Sequence, residues 1–376
     1  MTKVLARFSS YDDVRVRSTV FEIMDLMGGE RIGSGMKVLV KPNLLAPAYP
    51  ENAVLTHPAI VKAAVEYALD RGAKVQVSDS PATGSFERIL RTSGIGQALR
   101  GLPVTCLPFE KSVRLPASPP FTQLELAQDA IEADVIINLP KMKTHSQMLL
   151  TLGVKNLFGC VVGLRKPEWH MKTGVDRHAF ARVLVQVYAA LKPSFNILDG
   201  VLAMEGQGPG RGGTPREVGV ILGSTDAVAL DVTVCGMVTL APEKLLTNVA
   251  AHELGLMPQD IQVEGTLPEL TDYQMPQVGS VVFGPEIFHG IVRRHFVQRP
   301  EIEESACKLC GECWKFCPAH ALERQKEKIR FDYDRCIRCY CCLEVCPYGA
   351  ISALEPPAGR ALSKTIRAVF RTFAGR

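Results

Sequence analysis

Residues 36–80 read MKVLVKPNLLAPAYPENAVLTHPAIVKAAVEYALDRGAKVQVSDS. Residues 36–40 form a short apolar, β-branched run suited to a buried strand. The stretch 57–71 carries apolar residues at helical spacing until Gly72 closes it, and residues 74–78 read as the next strand. Strand, helix, strand is the unit from which parallel sheets are built, because parallel neighbours need a crossover between them. The same rhythm runs outward. Further strands are expected at 133–139, 195–198 and 217–222, and helices at 176–191 and 226–240. The fold class is therefore α/β, with a doubly wound, parallel-sheet N-terminal domain over residues 1–240. Residues 102–123 are proline-rich and irregular, and 241–299 read as a connector or added subdomain.

Polar groups gather where these strands should end, the edge at which open parallel sheets bind ligands. Lys41 and Asn43 follow the first strand, Asp79 the second, and Lys141, Lys143 and His145 the strand at 133–139. Lys155 and Asn156 come just after, and Asp199 ends another strand. Single lysines at loop starts are usually solvated surface. Several at one sheet edge argue instead for a pocket for an anion. Glu205 and Arg211 sit in a glycine-rich loop that could close over a ligand. Its Gly208, Gly210 and Gly213 match G-x-G-x-x-G, but Thr214 and Pro215 follow where a dinucleotide fingerprint needs a helix. No P-loop is present, so nucleotide hydrolysis has no support.

Nine of the twelve cysteines fall between Cys307 and Cys346. Cys307, Cys310, Cys313 and Cys317 precede Pro318, and Cys336, Cys339, Cys342 and Cys346 precede Pro347, so each run spells C-x2-C-x2-C-x3-C-P. This resembles the bacterial ferredoxin signature, in which the fourth cysteine of each run serves the other cluster. The signature implies two 4Fe-4S clusters: Cys307, Cys310, Cys313 and Cys346 on one, Cys336, Cys339, Cys342 and Cys317 on its neighbour. Residues 300–357 are thus expected to form a small α+β, ferredoxin-like two-cluster domain. Zinc would need only four ligands per site and leaves both x3-C-P endings unexplained. Cys341 has no slot and reads as a bystander near a cluster. Cys106, Cys160 and Cys235, in apolar surroundings, read as small buried hydrophobes.

Taken in order, KPNL, DSP, LPKMKTH with GVKNLFG, DGVLAMEGQGP and DAVALD resemble the family catalogued as domain of unknown function 362. Many of its members carry a C-terminal pair of ferredoxin motifs. The resemblance covers residues 36–240 and implies a redox-linked α/β protein without a settled substrate.

Composition bounds the remaining functions. Charged residues make up 22% and hydrophobic ones 47%, which excludes a mainly disordered chain. The net charge of +4 is too small an excess to imply nucleic-acid binding. Residues 1–20 lack the apolar core of a secretory signal, and no run approaches the ~18 apolar residues of a membrane span. A cytoplasmic location is expected. Residues 358–376 read as a basic amphipathic helix, suited either to its own protein or to peripheral contact with an anionic membrane. Two functions follow. One is an oxidoreductase that relays electrons between the clusters and a small anionic substrate, with His145, Lys141 or Lys143 supplying a proton. The other is a non-enzymatic carrier, assembly factor or redox sensor that docks a redox partner protein.

Overall fold

The computed structural model describes residues 1–117, 119, 121–163, 165–173, 176–276, 298–354 and 356–357. The basic stretch 358–376 lies outside them.

Strands β1 (Thr2–Phe8), β2 (Lys37–Pro42), β3 (Lys74–Val77) and β4 (Val104–Cys106) open the sheet, and β5 (Ser112–Pro116) and β6 (Gln123–Ala127) form a hairpin beside it. Then come β7 (Val135–Leu139), β8 (Lys141–His145), β9 (Leu149–Thr151), β10 (Phe195–Gly206), β11 (Gly213–Ser224) and β12 (Ile261–Glu264). The spatial order is β12-β1-β11-β10-β7-β2-β3-β4, with β8 paired to β10 and β9. From β10 to β4 every neighbour is parallel, whereas β11 runs antiparallel to both β1 and β10.

Burial on both faces explains the unbroken apolar strands. Val38 and Val40 join the core under helices Asp13–Leu26 and Pro58–Leu69, while Leu39 between them faces the core of helix Arg177–Leu191. Asp12, Asp176 and Asp226 each cap the helix that follows by accepting backbone N–H groups.

Three segments differ from the sequence reading. Residues 141–145, expected as a strand-end loop, form β8 with all five residues buried. Asp199, expected to end a strand, lies inside the 12-residue β10. The cause is shared: the long β10–β11 hairpin outruns the parallel sheet, and β8 finds backbone partners on the overhang through Asp199 and Met204. Within 102–123, read as irregular, β4 extends the sheet and β5 begins the hairpin. Beyond residue 240, helix Leu246–Glu253 packs on Arg177–Leu191 and β12 adds a parallel edge to β1.

The C-terminal portion holds two small antiparallel pairs, β13 (Arg299–Ile302) with β16 (Ile351–Leu354), and β14 (Leu322–Gln325) with β15 (Lys328–Phe331). Short helices Glu312–Lys315 and Cys341–Val345 carry part of each cysteine run.

Candidate functional site

A cavity of about 200 Å³ lies where the carboxyl edge of the sheet meets the cysteine module. From the α/β side it is lined by Lys41, Asn43, Asp79, Lys143, Lys155 and Asn156, and from the cysteine module by Phe316, Cys341, Glu344 and Val345. Strand β2 delivers Lys41 and β3 leads into Asp79, so adjacent parallel strands place an ion pair at their common end. Lys41 Nζ lies 3.0 Å from Asp79 Oδ1 and donates to Pro42 O at 2.8 Å. Asp79 Oδ2 accepts from Leu44 N at 2.8 Å. Gly159 is required beside this pair, because a Cβ there would fall 2.0 Å from Asp79 Oδ1.

Asparagines tie the wall together. Asn43 Nδ2 donates to Asn156 Oδ1 at 2.8 Å, and Asn156 Nδ2 donates to Asn138 Oδ1 at 2.8 Å. Lys143 Nζ donates to Asn43 Oδ1 and Val54 O, each at 2.8 Å. Helix Arg165–Thr173 adds two residues one turn apart, Lys166 and His170, and Lys166 donates to Ser80 O. Burial lowers the Lys143 ammonium to about 7 and Lys166 to about 8, and it holds His170 near 4.

His145 stands behind the cavity. Its Nδ1 accepts from Gln147 N and Met148 N at 3.1 and 3.2 Å, so its proton resides on Nε2, 2.9 Å from Glu344 Oε1. Burial, then Lys155, pushes His145 down to about 4, so the ring is neutral at pH 7. Burial alone would raise Glu344, but the facing His145 and Lys155 reverse that and hold the carboxylate well below its ordinary range.

The remaining residues singled out in the sequence lie off the cavity wall. Lys141 Nζ donates to Asp199 Oδ2 and to Tyr11 Oη, both at 2.8 Å, and the Tyr11 hydroxyl donates to Asp199 Oδ1 at 2.6 Å. Tyr11 stacks on His57 at 3.5 Å between centroids. This buried network compensates its own charge. Glu205 accepts from Gln274 N at 3.2 Å, with Arg216 3.7 Å away. The glycine-rich loop folds towards the cysteine module: Gly210 approaches the Leu343 and Glu344 carbonyls, and Arg211 lies against Gly349. Gly208 N donates to Thr144 Oγ1 at 3.3 Å, and a Cβ on Gly208 would come 2.3 Å from Thr144 O.

Sequence reasoning passed over Thr151, Lys166, His170 and Glu344 and read Cys341 as a bystander near a cluster; all five are on the wall. The i, i+4 spacing of Lys166 and His170 was a readable signal for one helix face. Nothing in the spacing of Glu344 between Cys342 and Cys346 pointed across to lysines.

The cysteines fall into two neighbourhoods. Cys307, Cys310, Cys313 and Cys346 line one narrow cleft with Ile302 and Ile351. The thiol of Cys342 is pushed well up, by burial first, then by Cys339, Cys336 and Cys317, and last by Cys313 of the first neighbourhood. Ala321 N donates to Cys317 Sγ and Ala350 N to Cys346 Sγ, each at 3.3 Å, so both runs end in the same N–H···S contact. Four thiols to a neighbourhood, with backbone donors at sulfur, is a donor set that fits a 4Fe-4S cluster.

Comparison with known proteins agrees with this division. The model described as domain of unknown function (DUF362) matches residues 38–236, and that of a 4Fe-4S dicluster domain matches residues 299–347. A thylakoid-associated protein of Synechocystis sp. is 38% identical over 303 residues, covering 78% of this chain and 94% of that protein. Pyruvate synthase subunit PorD of Methanocaldococcus jannaschii is 34% identical over 58 residues, covering 15% of this chain and 67% of its own length. The electron transport protein HydN of Escherichia coli is 33% identical over 79 residues, covering 20% of this chain and 44% of that protein. Among solved structures, the lactate racemase apoprotein of Thermoanaerobacterium thermosaccharolyticum is similar with a TM-score of 0.40 and 12% identity, over 60% of this chain and 55% of that one.

Proposed function

The chain belongs to the family described as domain of unknown function 362 and carries a 4Fe-4S dicluster domain, and from that premise we propose that it is an iron–sulfur oxidoreductase acting on a small anion held between its two modules. One observation carries the reading. The helix Cys341–Val345 supplies Cys342, a ligand of the signature, and also Cys341 and Glu344, which line the lysine cavity. Electrons arriving at Cys342 are then one helix width from a bound anion.

Cys307, Cys310, Cys313 and Cys346 would hold one cluster, and Cys336, Cys339, Cys342 and Cys317 the other. Bound there, the clusters supply one-electron chemistry over a wide range of potentials. The protein residues do the rest. Lys41, with Asp79 and Asn43, fixes the floor of the cavity. Lys143 and Lys155 attract the anion. With an ammonium near 7, Lys143 can hold or release a proton at neutral pH. His145 positions Glu344, and the apolar Phe158 and Phe316 restrict water.

Among the described residues no helix is long and apolar enough to cross a membrane. A reducing compartment such as the cytoplasm would keep the twelve free cysteines available for ligation. The electron-transport relative of the cysteine module favours a second reading, in which the α/β domain docks a redox partner and turns over no small molecule.

Anaerobic reconstitution should give about eight iron and eight sulfide per chain. The reduced protein, mixed with a panel of small anions under anaerobic conditions, should then be reoxidised by at least one of them. Inertness towards every anion, with rapid reoxidation by a protein acceptor, would replace the enzyme with the carrier.

A further inference from the structure

Three polar groups on the cavity wall are left without partners. Thr151 Oγ1 and His170 Nδ1 are buried, at 3% and 5% residue exposure, and neither forms a hydrogen bond. Lys155 makes no hydrogen bond or ion pair among the described residues, although it faces Glu344 and Cys341 across the cavity. Buried polar groups in folded proteins are nearly always satisfied, so two buried orphans beside a half-buried, unpaired ammonium at one space indicate something that fills it. The three come from separate elements, β9, helix Gly153–Asn156 and helix Arg165–Thr173. Local strain in any one of them does not account for all three.

Charge gives the sign of the occupant. Four lysines, Lys41, Lys143, Lys155 and Lys166, face two carboxylates, Asp79 and Glu344, while His145 and His170 are neutral. With all four lysines protonated that leaves an excess of two positive charges, reduced by about half a charge at pH 7 because Lys143 lies near 7. Size and lining give its chemistry. About 200 Å³ is smaller than the roughly 300–1,000 Å³ of pockets for drug-sized ligands. Leu44, Leu45, Phe158 and Phe316 add an apolar strip that suits carbon better than a bare inorganic ion.

We propose that this cavity is the binding site for a small organic dianion with two carboxylate-like groups, held by Lys155 and Lys166 with hydrogen bonds from Thr151 and to or from His170. The inference deepens the oxidoreductase reading, since it names the substrate class for the same site, but it concerns binding alone.

The test is calorimetric titration of the full chain, cluster-loaded and oxidised, with malonate as probe. Malonamide serves as the uncharged analogue of the same shape and propionate as the monoanion. Malonate should bind at least about tenfold tighter than either, the worth of roughly one charge-assisted contact. Lys155→Met should weaken malonate at least about tenfold and Thr151→Val a few fold, while Lys155→Arg should recover most of the loss. Lys244→Met, at an exposed position, should change nothing. Iron content and far-UV circular dichroism matching the parent establish that each variant is folded. No malonate binding, equal binding of malonamide, or a folded Lys155→Met that binds like the parent overturns the site. Malonate binding without any reoxidation of reduced protein leaves the site standing and removes the oxidoreductase reading. Reoxidation by a neutral or cationic compound, with no dianion bound, does the opposite.

Discussion

In one cysteine neighbourhood Cys310 is exposed and Cys307 and Cys346 are half-buried, with only Cys313 buried, whereas in the other Cys336, Cys339 and Cys342 are each at most 8% exposed and only Cys317 is half-buried. The two neighbourhoods share ligand spacing to the residue, yet the first is the more exposed, and the helix that carries Cys342 reaches the lysine-lined cavity through Cys341 and Glu344. Solvent exposure and nearby charge are what set the potential of an iron–sulfur cluster. On the proposed reading, a duplicated ligand pattern would acquire two roles from its surroundings: an outer port for a redox partner and an inner terminus beside the anion.

That contrast can be broken most directly at the ligands. Cys310→Ser and Cys342→Ser should each lower iron from about eight to about four per chain, but only Cys342→Ser should abolish reoxidation of chemically reduced protein by an anionic substrate. The crossing predicts that Cys346→Ser damages the outer cluster and Cys317→Ser the inner one, which paramagnetic resonance of the two reduced clusters would separate. Equal loss of anion-linked reoxidation in both single variants would end the distinction.

Next in size is the contact that makes the inner region inner. Glu344 counters buried cations that the outer region lacks. Glu344→Gln leaves Lys143 and Lys155 without that charge, and should reduce unfolding free energy by about 2 kcal/mol, measured by denaturant titration at pH 7. A chelator offers a kinetic version of the comparison. The outer cluster should lose iron about tenfold faster than the inner one, because attack follows exposure. Simultaneous loss would place both in one environment.

The smallest effect is on pH. Lys143 and Lys166 are lowered to about 7 and about 8, chiefly by burial, so the empty cavity loses protons as pH rises from 6.5 to 9. Lys155, Glu344, Lys141, Asp79 and His145 face Lys143, and Asp79, Lys41, Cys160 and Glu344 face Lys166, with His170 on the same wall. An anion binds the protonated form, so malonate affinity should fall across this range by about threefold per pH unit. Malonate remains a dianion throughout, which leaves the protein as the source of the trend. The outer cleft holds none of these lysines. Cluster signals assigned to the outer site should therefore not follow the same curve.

How much of this was legible beforehand depends on the range of the interaction. The strands at 36–40 and 74–78 and the helices from residues 57 and 176 could be read because periodicity is local. Lys41, Asn43, Asp79 and Asn156 could be placed together because parallel strands deliver their carboxyl ends to one edge. Lys141 and Asp199 looked like members of the same set, yet they sit one strand over and neutralise each other beneath Tyr11. Their charge is real and unavailable. Thr151 is a plain strand residue in sequence, and only the missing partner at its hydroxyl marks it.

By itself, the sequence determined the α/β rhythm, the cysteine duplication and the strand-end lysines, since each is written in spacing along the chain. Only the tertiary structure decided which face of the cysteine module meets the sheet edge. That contact turned Glu344 and Cys341 inward, set a mostly buried group of ligands apart from a more exposed one, and left Lys155 without a hydrogen bond or ion pair among the described residues. The physical reason is desolvation. Closing one module over another removes water from groups that are hundreds of residues apart, and their charges and hydrogen bonds must then be balanced by one another or by a ligand.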